Sequence, residues 1–393
     1  MNKKTVNNLL ILLPFIWLFS GMLVIKSGDK AMIAMIIISI IATLANQGFN
    51  SIKSNLQHNK TLWVILAMAG YALFSYQYHG LSSRELRALL GASLFLLFFP
   101  RQLLTSKFLL GLSLIGAIIC ISNAFYFSQV ANLPRHLWTI NAIPQATLSA
   151  SIGIVALVQL LRCENKKELL VASISLVLSI IAIIFSQTRG IWLGFGVATC
   201  LIMLQLFRYR QINWKFVVTG MAIIFAAGFS LKPQLEQRIN STQHEVKQIT
   251  SGNLNSSIGL RLQMWKLGPH MLNNNVLLGA GDSHSQRFEA LYKQGLVSEK
   301  LYRFQPAHYH NQYLDRLIKN GIIGLTMLLL VFLVPLAQTR NQPSSKRYMI
   351  TGLVVLYAIA ALTDVPFNHG QTLFMYMLLI CGLFAYPSET EES

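Results

Sequence analysis

Hydrophobic residues run through this chain in blocks about as long as a bilayer's hydrocarbon core demands, roughly 20 residues per helical crossing. Blocks poor in charge predict helices at about 7–25, 31–46, 62–78, 86–99, 108–127, 139–161, 169–186, 190–207, 214–231, 318–337, 348–363 and 371–386. The pattern predicts an all-α integral membrane protein of about 12 transmembrane helices, two of them short. Between the ninth and tenth, about 85 residues from Lys232 to Arg316 form the only sizeable water-soluble stretch. The chain therefore divides into helices 1 to 9 (1–231), a large, mainly helical loop (232–316), and helices 10 to 12 with a tail (317–393).

Within the loop, PQLEQRINSTQHEVKQI places Leu235, Ile239, Val246 and Ile249 at helical spacing, an amphipathic helix suited to lie on the rest of the protein or on lipid. A polar break at Ser251 to Ser257 precedes a second helix, SIGLRLQMWKLGPHML, on which Arg261 and Trp265 share a face. NNNVLLGAGDS then reads as a turn-rich loop, and Gly279 and Gly281 suit a turn better than a phosphate cradle. Lys3 and Lys4 precede an apolar core, as in a signal peptide, but no small-x-small cleavage site follows, so Met1 to Ile25 reads as the first anchor. No internal repeat is visible, which argues against an inverted-repeat transporter.

Composition agrees, with 53% hydrophobic residues against 12% charged. A net charge of +18 would point to nucleic acid in a soluble protein; here its distribution reads as topology. With the N-terminus inside, the tail and inner loops hold 15 Lys and Arg, the short outer loops and helix edges 6, and the stretch from Lys232 to Lys319 the other 11. Both termini are expected in the cytoplasm, with the long loop facing out. Cys120, Cys163, Cys200 and Cys381 are scattered without ligand-like spacing, so neither a disulfide framework nor a zinc site is expected.

Under that topology eight of the nine histidines, all but His58, lie on or near the outer face. His79, His136, His244 and His284 read as ordinary surface imidazoles. In AHYHNQYLDRLIKNGIIGL (307–325), His308 and His310 stand just before an apolar helix, where an imidazole with an ordinary pKa near 6.5 can serve as a general base. Two residues apart, they would diverge on a helix, which makes one of them structural. With no cysteine or tight carboxylate cluster nearby, a metal pair is disfavoured. Arg189, in SQTRGIWLG, sits at the outer membrane edge in a turn too short to offer a solvated loop, on the side that otherwise avoids positive charge; this favours a function over snorkelling. Arg261 by itself reads as the wet face of an amphipathic helix, and Lys266 keeps that reading.

RLQMW (261–265), LLGAG (277–281) and HNQYLDRLIKNGIIGL (310–325) together resemble the signature of the O-antigen ligase and polymerase superfamily of bacterial inner membranes. TRG (188–190) resembles its outer-turn arginine, and TDVPFNHG (363–370) is similar to a further outer loop with an acidic residue. Order and spacing agree across roughly the C-terminal half, while the first 130 residues match only as hydrophobic helices. Length and helix count are most similar to the O-antigen ligase.

The resemblance implies a GT-C-like, metal-independent glycosyltransferase of the Gram-negative inner membrane. It would move a glycan from undecaprenyl diphosphate to a sugar hydroxyl of the lipid A core oligosaccharide at the periplasmic face, with membrane lipids but no nucleic acid as partners and no cofactor. His310 would be the base and Arg189 and Arg261 the diphosphate clamps. Arg84 and Arg87 stand where relatives carry a basic residue near lipid phosphates, with helix-end snorkelling the alternative; His308 and Asp364 would support, although a carboxylate in a short loop is more often simply solvated. A polymerase or a protein O-oligosaccharyltransferase would share these groups. A lipid-glycan flippase would need charges at mid-membrane, and here nearly all sit at helix ends or in loops.

Overall fold

The computed structural model describes residues 3–163, 165–208, 232–272 and 276–384, and every regular element among them is helical. The helices are α1 (Lys3–Ile11), α2 (Leu13–Leu18), α3 (Gly21–Val24), α4 (Gly28–Gln47), α5 (Asn50–His58), α6 (Lys60–His79), α7 (Ser83–Phe98), α8 (Ser106–Phe125) and α9 (Ala142–Leu160). They continue with α10 (Lys166–Phe185), α11 (Arg189–Arg208), α12 (Lys232–Thr250), α13 (Ser257–Met271), α14 (His284–Lys293), α15 (Glu299–Phe304), α16 (Gln312–Gln338), α17 (Ser344–Thr363) and α18 (Gly370–Gly382).

Seven of these are long and apolar enough to cross a membrane, or eight if the bent N-terminal pair is one span. The expected first helix is in fact broken, bent by 53° between Ile11 and Leu13. Pro14, in the first turn of α2, has no N–H to carry the ladder across the break. α6, α7 and α18 join the same bundle, α18 with only 13 residues. The expected helix at 214–231 lies outside the described residues.

Two helices form the centre. All of α18 is buried, packed among α2, α4, α6, α7, α9 and α17, and α9 is buried almost throughout. Helices apolar all round are the ones a bundle can surround with protein, and α9 carries Ala146, Ser149, Ala150 and Gly153, small enough for close approach. The loop helices α13 to α15 build a second, smaller core around Met264, Leu267, Met271, Leu291 and Leu301, joined to the bundle through Ile318 on α16.

The expected helix at 318–337 begins earlier, at Gln312, and is interrupted at Gly321, where φ is +65°. An interruption at a buried residue frees backbone groups that need partners within the protein. The 276–280 strip of the LLGAG loop satisfies them: Ala280 N–H donates to Ile318 O (2.8 Å), while Ile322 and Ile323 N–H donate to Val276 O (3.0 Å) and Leu277 O (3.3 Å). The Tyr71 hydroxyl caps Asn320 O at 2.6 Å. A Cβ on Gly279 or Gly321 would lie within 2.7 Å of the opposing backbone, so both glycines are required by close approach as well as by their positive φ. These glycines serve architecture, as the turn reading of Gly279 expects.

Candidate active site

His310 is presented by the residues that start α16. Asn311 caps the helix, its Oδ1 accepting from Leu314 N–H at 3.1 Å. One and four positions on, Gln312 and Asp315 reach the loop that follows α17. Gln312 donates to Asn368 Oδ1 (3.0 Å) and accepts from Phe367 N–H (2.9 Å), and Asn368 donates to Asp315 Oδ2 (2.9 Å). The polar residues of HNQYLD are thus spent on locking two loops together.

That lock places the Asp364 carboxylate 3.2 Å from His310 Nδ1. With Nδ1–H donating to Asp364, the opposite ring nitrogen, Nε2, is left as a proton acceptor. His310 adopts φ +48°, a left-handed conformation costing a non-glycine residue of order 1–3 kcal/mol. Its own N–H donates to His308 Nδ1 at 3.4 Å, and the two rings meet edge-on at 4.3 Å. The segment is not helical, so the two histidines converge where helical spacing would have separated them. His369 approaches the second Asp364 oxygen at 3.9 Å.

Asp364 is 4% exposed, against the expectation of a solvated carboxylate. Burial pushes its carboxyl up, but the His310 hydrogen bond and the neighbouring His369 and His308 more than offset this and hold it at about 2. Burial first, then His310, lowers His308 to about 4, so His308 is neutral at neutral pH. His308, His310 and Asp364 each offer a ligand atom within 4.8 Å of the others, a donor set able to hold a divalent transition metal. Sequence proximity had argued against such a group, but the fold brings the carboxylate from 54 positions away.

The second part of the site is a cavity of about 240 Å³ where α11, α12, α13 and the end of α17 meet. Arg189 and Arg261 both line it, together with Arg135 and Arg238. Gly190 permits the approach: a Cβ there would lie 2.0 Å from Thr363 Oγ1, so the Thr-Arg-Gly turn closes on the end of α17 only without a side chain. Arg189 donates to Glu245 Oε1 (2.7 Å) and Thr242 Oγ1 (2.8 Å), and Arg135 to Thr188 Oγ1 (2.7 Å). Glu245 also accepts from Ile258 N–H at 3.1 Å, pinning α12 to the start of α13.

Four guanidiniums around one cavity repel one another. Burial, then Arg238, Arg261 and Arg189, push Arg135 down to about 10; burial and Arg189 also lower Arg238 and Arg261. Arg135, Arg238 and Arg261 stay cationic at neutral pH, and Arg189 stands at the positive end of α11. Such a cavity suits a multiply charged anion. His310 does not line it; the link is Asp364, which follows the cavity residue Thr363 and interacts electrostatically with both Arg135 and Arg261. Arg135 and Arg238 were missed from sequence, although Arg135 is an outer-side cation like Arg189.

Arg84 lies 3.8 Å from the buried Asp29, whose carboxylate crowds Gly370 beside His369. Arg87 is half-buried on α7 and makes no hydrogen bond or ion pair among the described residues. His79 donates from Nε2 to Leu278 O (3.0 Å) and supports the LLGAG loop rather than standing free on the surface.

Residues 174–329, which contain Arg189, Arg261 and His310, match the O-antigen ligase family. An "Uncharacterized protein" of Haemophilus influenzae is 26% identical over 248 residues, covering 59% of this chain; the chain spans 61% of that relative's length. Members of the matched family are glycosyltransferase-like membrane enzymes. The match covers residues 174–329, the segment that holds Arg189, Arg238, Arg261 and His310, and supports a likeness to the O-antigen ligase superfamily.

Proposed function

We propose that this protein is an O-antigen ligase, transferring a glycan from undecaprenyl diphosphate to a sugar hydroxyl of the lipid A core at the periplasmic face of a Gram-negative inner membrane. The reading includes a GT-C-like bundle of twelve crossings with both termini in the cytoplasm. The observation that carries it is the four-arginine cavity set beside the His310–Asp364 pair.

The acceptor O–H gives its proton to His310 Nε2 as the oxygen forms a bond to the anomeric carbon. The bond from that carbon to the diphosphate oxygen breaks, and the electron pair leaves with undecaprenyl diphosphate. Arg189 and Arg261, with Arg135 and Arg238, hold the diphosphate as charge grows on it. Asp364 fixes the imidazole tautomer and stabilises the imidazolium. One displacement of this kind inverts the attacked carbon. The arginines supply the electrostatic stabilisation without a metal, so chelators leave the rate as it is.

The test is reconstituted transfer from lipid-linked glycan to lipid A core. Wild-type protein should yield core-linked polymer, and His310→Ala should lose about 10²–10⁴ in rate at normal protein level and donor binding. Elongation of carrier-bound glycan without core modification would assign a polymerase instead; full activity in His310→Ala would remove the base. Cysteines introduced in 232–316 should be labelled from outside intact cells.

A further inference from the structure

A second cavity, about 460 Å³, lies in the loop region between α14, α15 and the 305–309 segment. Its chemistry differs from that of the arginine cavity. Phe288, Tyr302 and Tyr309 line it, with Glu289, Gln305 and His284 as polar groups, and among the described residues no lysine or arginine does. Tyr292 covers one face of Tyr302 at 3.7 Å and 5°, holding that ring rigid, and Phe288 continues the aromatic wall at 6.5 Å and 14°. Burial, then Lys319, holds His284 below the ordinary histidine range, so it is a neutral hydrogen-bonding group at neutral pH.

The two cavities share a wall. Trp265 lines the arginine cavity and donates from Nε1 to Tyr309 O at 3.0 Å, and Tyr309 lines the aromatic one. The residue after Tyr309 is the base. A group held against Tyr309 therefore lies on the other side of this wall from the arginine cavity, in the segment that leads into His310.

We infer that the aromatic cavity binds the neutral sugar rings of the acceptor glycan. Pyranose rings present C–H faces to the negative faces of aromatic rings and hydroxyls to carboxylate, amide and imidazole groups. The volume lies in the ~300–1,000 Å³ range of small-molecule sites. This deepens the ligase reading and rests on it for the word acceptor.

The test titrates core oligosaccharide, freed from lipid A, into the full-length protein in lipid nanodiscs. Phe288→Ala and Tyr302→Ala should each weaken binding at least about tenfold. Because Tyr302 stacks on Tyr292 and its loss can loosen the small core, Glu289→Gln and Gln305→Ala on the exposed rim provide a second reading, with a weakening of several-fold at an unchanged thermal midpoint. In transfer assays the acceptor KM should rise while the donor KM stays. Wild-type core binding in the aromatic and rim variants, or a rise in donor KM alone, would overturn the inference. The titration needs no turnover, so it reads this pocket even if transfer itself were absent and the ligase reading failed.

Discussion

The two ends of the helical bundle both bury arginine, and they do so in opposite ways. At the end away from the site, Arg101 is 4% exposed and donates to Asn55 Oδ1 (2.8 Å) and Phe384 O (3.2 Å). Asn55 in turn donates to Leu96, Leu97 and Phe99 carbonyls at 3.1, 2.8 and 3.0 Å. Arg101 and Asn55 together seal the last turns of α7 and α18, whose carbonyls have no helical partner. At the other end Arg135, Arg189, Arg238 and Arg261 face a common cavity, with Glu245 paired to Arg189 and Asp364 close by. Like charges held together in partial burial are costly by themselves and become favourable when an anion arrives. The first arrangement makes a fold; the second awaits a ligand.

Substitution should separate the two ends. Arg261→Ala is expected to cost about 10²–10³ in transfer rate with little change in thermal midpoint. Arg101→Ala should do the reverse: each orphaned buried partner costs about 1–3 kcal/mol, so the midpoint falls while the folded fraction keeps its specific activity. A smaller effect should follow from Gly190→Ala, whose Cβ meets Thr363 Oγ1 at 2.0 Å. Displacing the turn that carries Arg189 should lower the rate roughly tenfold. The double variant Gly190→Ala with Thr363→Ala removes the clashing oxygen and should recover part.

Anion binding gives a third contrast. Inorganic pyrophosphate should raise the midpoint of the wild type by a few degrees, since a ligand present at 100 Kd contributes about 2.7 kcal/mol, and should not raise that of Arg189→Ala with Arg261→Ala. The smallest effect concerns pH. His308 has a folded value of about 4 against an ordinary value near 6.5, so between those limits the unfolded chain binds a proton that the folded chain refuses. Stability is therefore full above about pH 6.5 and falls as pH drops toward 4. Burial also lowers His369 and His284, so His308→Gln should shallow this slope without abolishing it. Asp364, held at about 2, adds loss only below its ordinary value near 3.8.

Much of this architecture was legible as hydropathy, because a run of apolar residues at bilayer length permits few alternatives. What hydropathy could not separate was lipid from protein as the surrounding medium: α18 reads like any span, yet it is buried on every side. Nor could it show the interruption at Gly321, since NGIIG inside an apolar run reads as continuous helix and the break depends on a loop about 40 positions earlier to satisfy its backbone. At the site, Arg189 stood out because its turn is short and on the wrong side for a cation. Arg135 and Arg238 did not, because a loop arginine and one on an amphipathic helix look solvated until α12 and α13 fold over the turn before α11. Asp364 was underrated for the same reason, its burial being made by residues 54 positions away in HNQYLD.

The most direct measurement is an experimental structure with a non-transferable lipid diphosphate glycan in the membrane. The account predicts the diphosphate among Arg135, Arg189, Arg238 and Arg261, with the anomeric carbon turned toward His310. A diphosphate bound outside that cavity, or an anomeric carbon facing away from the imidazole, would contradict it.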